Sequence, residues 1–257
     1  SLRATVVVPY LHADAERIPD AMTWSDLVAT SGDLAFDPVP FDHPLYILFS
    51  SGTTGLPKAI VHGHGGILLE HLKSLGLHGD LGADDRFFWF TTTGWMMWNF
   101  LVSGLLVGAT VVCFDGNPAY PDLGVLWRMA EGTQLTYFGT SAPFLMACRK
   151  AGLQPREAAD LSRLRTVGST GAPLPAEGFR WVYEAIGDGL LLSSISGGTD
   201  VCTAFVGGCS LVPVRAGEIS CRYLGAKVEA YDSAGHAVIG EQRELVFSAP
   251  MPSMPVG

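Results

Sequence analysis

Between residues 86 and 194 the chain switches repeatedly between two hydrophobic periods, and this alternation constrains its fold more than any other feature. Short apolar runs, most of them β-branched or aromatic, at 86–91, 109–114, 134–138, 164–167 and 190–194 are separated by stretches of helical spacing at 95–107, 123–131, 142–151 and 176–186. Strands separated in this way by helices belong to a mainly parallel sheet. The pattern therefore predicts an α/β fold with helices on both faces of a mainly parallel sheet. In such sheets ligands gather beyond the carboxyl ends of the strands.

One part of this region raises the question of a membrane. Residues 91–114 contain no charged side chain and are long enough to span a bilayer. However, Gly108 interrupts the run, and Thr110, Val111 and Val112 favour a strand, so a buried helix, a turn and a central strand are expected instead. The net charge of −9, with 16 basic residues and no basic run, argues against nucleic acid or an anionic membrane as partner. An anionic ligand must then be held by local donors. Five cysteines without a CxxC pair read as small buried hydrophobes in a reducing compartment, the cytoplasm. No signal peptide is expected, and the chain begins as if cut from a longer protein.

Three further regions flank the alternating one. Residues 1–44 form an entry segment with a β-rich run at 5–8, a helix capped by Thr23 or Ser25, and a Pro/Asp-rich loop at 37–44. Residues 45–206 are expected to form the ligand-binding α/β part, including a helix at 65–77 that buries Ile67, Leu68, Leu72 and Leu75 on one face. After Gly207 only strand-like runs remain, at 218–221, 227–231 and 244–247, which predicts the start of a smaller β subdomain at 207–257.

The stretch most suggestive of chemistry is YILFSSGTTGLPKAIVHGHGG at 46–66. Two strand-like runs enclose a loop rich in donors: the hydroxyls of Ser51, Thr53 and Thr54, backbone freed by Gly52 and Gly55, and the ammonium of Lys58. That composition suits a triphosphate. It is not the GxxxxGK[ST] loop, because only two residues separate Gly52 from Gly55 and Ala59 follows the lysine. SSGTTGLPK instead resembles the phosphate loop of the adenylate-forming superfamily, which comprises acyl-CoA synthetases, peptide-synthetase adenylation domains and luciferases. His62 and His64 follow as HxH, with no third ligand at metal spacing, so hydrogen bonding near the loop is expected. His43, His71 and His78 show no partner in the sequence.

The resemblance extends from about residue 45 to the end of the chain and implies further roles. TTTGW at 91–95 resembles the segment lining the carboxylate site, which places Trp95, Met96 and Met97, with Thr170 and Gly197, around the acyl chain. GSTGAPL at 168–174 resembles the loop whose backbone stacks on adenine, here Gly171, Ala172 and Pro173, joined by Ser196, Gly197 and Gly198. Many relatives carry Glu where this chain has Ala172. SISGGTD at 194–200 resembles a stretch that ends in Trp-Trp-Gln-Thr-Glu in acetyl-CoA synthetases. This implies that Thr199 meets the α-phosphate and the acid's carboxylate, and that Asp200 holds Mg²⁺. Gly197 stands where those enzymes place the second Trp, so the acyl pocket is expected to be open enough for acetoacetate.

The implied function is ATP-dependent activation of a short acid such as acetoacetate to an acyl-adenylate, then to its coenzyme A thioester. The implied partners are small molecules alone: the acid, ATP with Mg²⁺, and coenzyme A. An adenylation domain and a non-catalytic nucleotide-binding module remain alternatives at this point. The family's ribose-binding Asp, its adenylation Lys and its carboxyl-terminal lid domain have no counterpart in these 257 residues, so the chain alone is expected not to complete thioester synthesis.

Overall fold

The computed structural model describes residues 4–10, 18–50 and 56–257. Contacts divide the chain into two units, residues 1–39 and 40–257. In the first, β1 (Val6–Val7) pairs in parallel with β2 (Met22–Thr23), and α1 (Trp24–Ala29) follows directly. Thr23 is the cap: its hydroxyl accepts from the Asp26 N–H at 3.1 Å and donates to the Asp26 carboxylate at 2.7 Å. This reciprocal pairing satisfies an amide that the helix itself leaves free.

The second unit is built on a five-stranded parallel sheet. Its strands are β5 (Arg86–Trp89), β6 (Thr110–Val112), β7 (Tyr137–Ser141), β8 (Thr166–Thr170) and β9 (Leu191–Ser194), in the order β6-β5-β7-β8-β9. Helices α4 (Val125–Thr133), α5 (Ala142–Lys150), the short α6 (Pro155–Ala158) and α7 (Ala176–Ala185) connect these strands. Alternation along β5 sends Phe88 to one face and Phe87 and Trp89 to the other. Phe88 joins Trp127, Phe138, Leu145, Val167, Val182 and Leu192 under α4, α5 and α7. Phe87 and Trp89 join Leu75, Phe100, Tyr137, Ile195 and Ala204 in a second core.

That second core is covered by elements from both ends of the unit. An antiparallel hairpin, β3 (Pro44–Ser50) and β4 (Lys58–Gly63), leads into α2 (His64–Leu72), which widens into a π-helical turn at Lys73–His78. Helix α3 (Met96–Val102) tightens into a 3-10 turn at Ser103–Val107. The uncharged run at 91–114 is thus a short helix, a tight turn and an edge strand. No helix among the described residues is long and apolar enough to cross a membrane.

β7 and β8 extend further toward their carboxyl ends than sequence suggested, whereas β5 stops at Trp89 and β6 at Val112, short of the expected 91 and 114. Gln134 closes α4 with a left-handed φ of 50°, so β7 starts at Tyr137 rather than 134. β8 runs to Thr170, pairing Gly168 with Gly139 and Thr170 with Ser141. Beyond β9 the sheet ends, and only Ile195 intervenes before an antiparallel sheet of β10 (Ser196–Gly198), β11 (Thr203–Gly207) and β12 (Cys221–Arg222). Neither β10 nor β11 was legible beforehand, and the strand expected at 218–221 is displaced to β12. A last antiparallel sheet orders β14 (Ala237–Val238), β13 (Val228–Tyr231) and β15 (Glu244–Phe247).

Trp89 occupies a gap that the sheet leaves for it. It pairs across to Gly139, which pairs in turn with Gly168, so one row on this face of β7 and β8 carries no side chain. The indole lies over both positions. A Cβ at Gly139 would sit 2.2 Å from its Cε3, and one at Gly168 would sit 2.7 Å from its Cζ3. Above it, the Phe100 ring meets the indole edge-on at 5.8 Å between centroids.

Candidate active site

The carboxyl ends of β8 and β9 and the start of α3 bring most of the expected residues to one place. Trp95, Met96, Met97, Thr170 and Gly197 surround a cavity of about 210 Å³, together with Phe100, Ile195, Thr199 and Ala204. Gly171, Ala172, Pro173 and Ser196 line a second cavity of about 360 Å³, closed by Phe179, Glu218 and Ile219. Thr170, Gly171, Ile195 and Gly197 belong to both, so the two cavities adjoin along the strand ends. A long ligand can pass from one to the other.

The junction is held by main-chain and hydroxyl bonds. The Thr170 hydroxyl donates to the Ile195 carbonyl at 3.0 Å, and the Ile195 N–H donates to the Ser169 carbonyl at 2.9 Å. These bonds fix the crossing from β9 into β10. Gly197 is then pressed onto β11, with its ideal Cβ position only 2.4 Å from the Thr203 carbonyl oxygen. The space its hydrogen leaves is taken by backbone of the neighbouring strand.

Thr199 and Asp200 form the turn between β10 and β11. Thr199 is half-buried and lines the smaller cavity, whereas Asp200 is exposed and lines neither. Lys58 begins β4, exposed and paired across the hairpin with Ser50. Ser51, Gly52, Thr53, Thr54 and Gly55 lie outside the described residues. Among the described residues no group of three or more His, Cys, Asp or Glu is arranged to hold a metal.

Sequence reasoning missed Phe100, Ile195, Ala204, Glu218 and Ile219. Phe100 carried a signal, since it follows Met96 and Met97 by four and three residues and so shares their helix face. Ile195 lies inside the SISGGTD stretch, whereas Ala204, Glu218 and Ile219 reach the cavities only through β11 and the loop before β12, neither of which has a local signature.

The buried histidines all bond to the backbone that follows this turn or lies within it. His62 Nε2 donates to the Thr199 carbonyl at 2.9 Å. His71 Nε2 donates to the Cys202 carbonyl at 2.7 Å, and its Nδ1 faces the Ser103 hydroxyl at 2.7 Å. A carbonyl only accepts, so the proton of neutral His71 sits on Nε2, and the single Ser103 hydroxyl proton is shared between Nδ1 and the Asn99 carbonyl at 2.8 Å. His78 holds the opposite tautomer: Nε2 accepts from the Leu224 N–H at 3.1 Å while Nδ1 donates to the Gly208 carbonyl at 3.2 Å.

Burial pushes the His71 pKa down from 6.5 to about 4. The unfolded chain therefore takes up a proton that the folded chain refuses between pH 6.5 and 4, and stability falls as pH falls through that window. From pH 7 to pH 5 the expected loss is about 2 kcal/mol. Burial lowers His78 in the same direction. Urea unfolding at the two pH values checks this, and His71→Gln should shrink the difference.

The comparisons with known proteins agree with this geometry. The model of the family "AMP-binding enzyme" matches residues 2–251. The acetoacetyl-coenzyme A synthetase of Rhizobium meliloti is 50% identical over 98% of this chain and 40% of its own length. That of Gallus gallus is 44% identical over 99% of this chain and 39% of its own. The solved structure of acetoacetyl-CoA synthetase from Streptomyces lividans superposes with a TM-score of 0.93 at 52% identity, covering 99% of this chain and 40% of that one. The chain thus spans about 40% of the length of these relatives. With a family model matched over almost all of its residues and two adjoining cavities at the carboxyl ends of a parallel sheet, the chain belongs to the AMP-binding enzyme family.

Proposed function

We propose that this chain is the nucleotide- and acid-binding part of a longer AMP-forming acid–thiol ligase whose acid is acetoacetate. The observation that carries the reading is the pair of adjoining cavities, one walled by Met96, Met97, Phe100 and Ala204 and the other by the Gly171–Pro173 backbone. An acyl chain in the first and an adenine in the second place the acid's carboxylate and the α-phosphate at the junction of Thr170, Gly171, Ile195 and Gly197, with Thr199 on the wall of the first cavity. A carboxylate oxygen attacks the α-phosphorus, and the bond to pyrophosphate breaks. The thiol of coenzyme A then attacks the acyl carbon and AMP leaves. Neither step needs a covalent nucleophile from the protein, so its residues act by positioning and by donating to developing charge.

The relatives named as acetoacetyl-CoA synthetases support acetoacetate among short acids. Mg²⁺ bound with phosphates needs one or two protein carboxylates. Exposed Asp200, whose Oδ2 lies beside Gly198, fits that need. Mg²⁺ there would balance phosphate charge. All five cysteines are free thiols, which supports a reducing compartment such as the cytoplasm.

A panel of short acids supplied to the full-length protein, with AMP release as readout, tests the reading. Acetoacetate should give the highest kcat/KM, and ATP binding with no acid-dependent AMP release would leave only a nucleotide-binding module. Lys58→Ala should raise the KM for Mg-ATP by roughly tenfold to a hundredfold, the loss expected for one charge-assisted phosphate contact. An unchanged KM would remove Lys58 from the phosphate site.

A further inference from the structure

Outside the two cavities, the most concentrated set of buried polar side chains stands on β4, α2 and the π-helical turn, and it faces a single stretch of main chain. His62, His71 and Ser74 are at most 1% exposed and His78 is 4% exposed. Their partners are the Thr199 carbonyl, the Cys202 carbonyl, the Thr203 hydroxyl at 3.1 Å and the Gly208 carbonyl. The last three hold the end of the turn, β11 and its exit. Of the four, only His62 bonds to Thr199, the residue of the turn that lines the smaller cavity.

His62 is an expensive way to fill that space. Its Nδ1 is fully buried and has no hydrogen-bond partner among the described residues. An orphaned polar atom costs stability, and an apolar ring of similar size would avoid the cost. Nor does the Thr199 carbonyl depend on His62 alone, since it also accepts from the Cys202 N–H at 3.2 Å. The bond between His62 and Thr199 is therefore not explained by fold stability.

Its position along the chain suggests what it does. His62 lies on β4, the strand that begins with Lys58, four positions further along. At about 3.3 Å per residue the strand is a rigid spacer of about 13 Å. One end carries the candidate phosphate lysine, and the other grips the carbonyl of the candidate catalytic threonine.

We propose that His62 is a positioning residue for acyl activation: its Nε2–H fixes the Thr199 carbonyl, and so sets the place of the Thr199 hydroxyl relative to the phosphate-binding strand. This rests on the reading of Thr199 given under Proposed function. His62 itself touches neither substrate.

The test uses the full-length protein and acetoacetate-dependent ATP–pyrophosphate exchange, with His62→Phe, His62→Gln, Thr199→Ala and the His62→Phe/Thr199→Ala double variant. His62→Phe should melt no lower than the parent, yet its kcat should fall about tenfold, with the KM for ATP changed less than about twofold. His62→Gln keeps an amide donor and should recover most of the rate. In the Thr199→Ala background the same His62→Phe change should cost less than about twofold, because the group it positions is gone. A stable His62→Phe protein with the parent kcat overturns the proposal, as does a tenfold loss that persists without the Thr199 hydroxyl. Parent turnover in Thr199→Ala alone removes the reading of the site on which the proposal stands. If phenylalanine leaves the protein unfolded, His62→Leu takes its place and is judged by the same measurements.

Discussion

Gly139→Val should leave little folded protein. Its Cβ would lie 2.2, 2.3 and 2.8 Å from three atoms of the Trp89 indole, and no rotamer of valine avoids a clash that its first carbon already makes. The indole cannot step aside, because it is 2% exposed and meets Phe100 and Tyr137. Overpacking by a single methylene in a tight core costs about 1–3 kcal/mol, and three carbons against a fixed ring should exceed about 3 kcal/mol. Against a total stability of about 5–15 kcal/mol this is enough to lower soluble yield and the melting temperature sharply. Gly139→Ala should be a milder form of the same defect, and Trp89→Leu should partly restore it. A Gly139→Val protein that melts with the parent would mean the indole does not lie over β7.

Gly197→Ala should fold but lose acid activation by on the order of a hundredfold, the effect of misplacing reacting groups by about 1 Å. The added carbon meets the Thr203 carbonyl oxygen at 2.4 Å and the Ala204 Cα at 2.9 Å, both main chain that has no rotamer to change. β10 must then part from β11, and Thr199 moves with it. Sequence comparison suggested a different experiment, in which Gly197→Trp would narrow the pocket and move preference from acetoacetate toward acetate. The direction of the missing side chain changes that expectation. A tryptophan here would have to displace β11 first, so activity toward both acids should fall together. Acetate and acetoacetate kinetics on Gly197→Ala and Gly197→Trp distinguish the two outcomes.

What the sequence conveyed and what it withheld follow one physical division. The five parallel strands and their connecting helices were legible because short apolar runs such as Phe87–Trp89 and Leu190–Leu192 are separated by stretches of helical spacing, and that switch of period is local. The position of Gln134 was not, because its left-handed turn depends on how α4 ends rather than on residue type. The cavity residues Trp95, Met96, Met97 and Thr170 were placed by resemblance to ordered motifs, not by periodicity. Ala204 and Ile219 enter the cavities only through pairings and loops set by distant chain, and small or apolar residues announce nothing of that kind. The histidines were the clearest such case. His71 and His78 looked unpartnered because their partners lie 131 and 130 residues away along the chain.

The π-helical turn at Lys73–His78 has a bearing on how this protein can vary in length. Residues His71, Ser74 and His78 meet the chain at Cys202, Thr203 and Gly208 in order, so the helix reads that strand like teeth on a rack. In an α-helix each residue turns around the axis by about 100°, and in the wider π-helical turn by somewhat less. Removing or adding one residue between Ser74 and His78 would swing His78 to another side of the helix, away from both Gly208 and Leu224. Substitutions in this segment can be absorbed one contact at a time, whereas a one-residue gap would disengage everything downstream of it at once. Natural and engineered variants are therefore expected to change exposed Leu77 in this segment readily, but not the number of its residues.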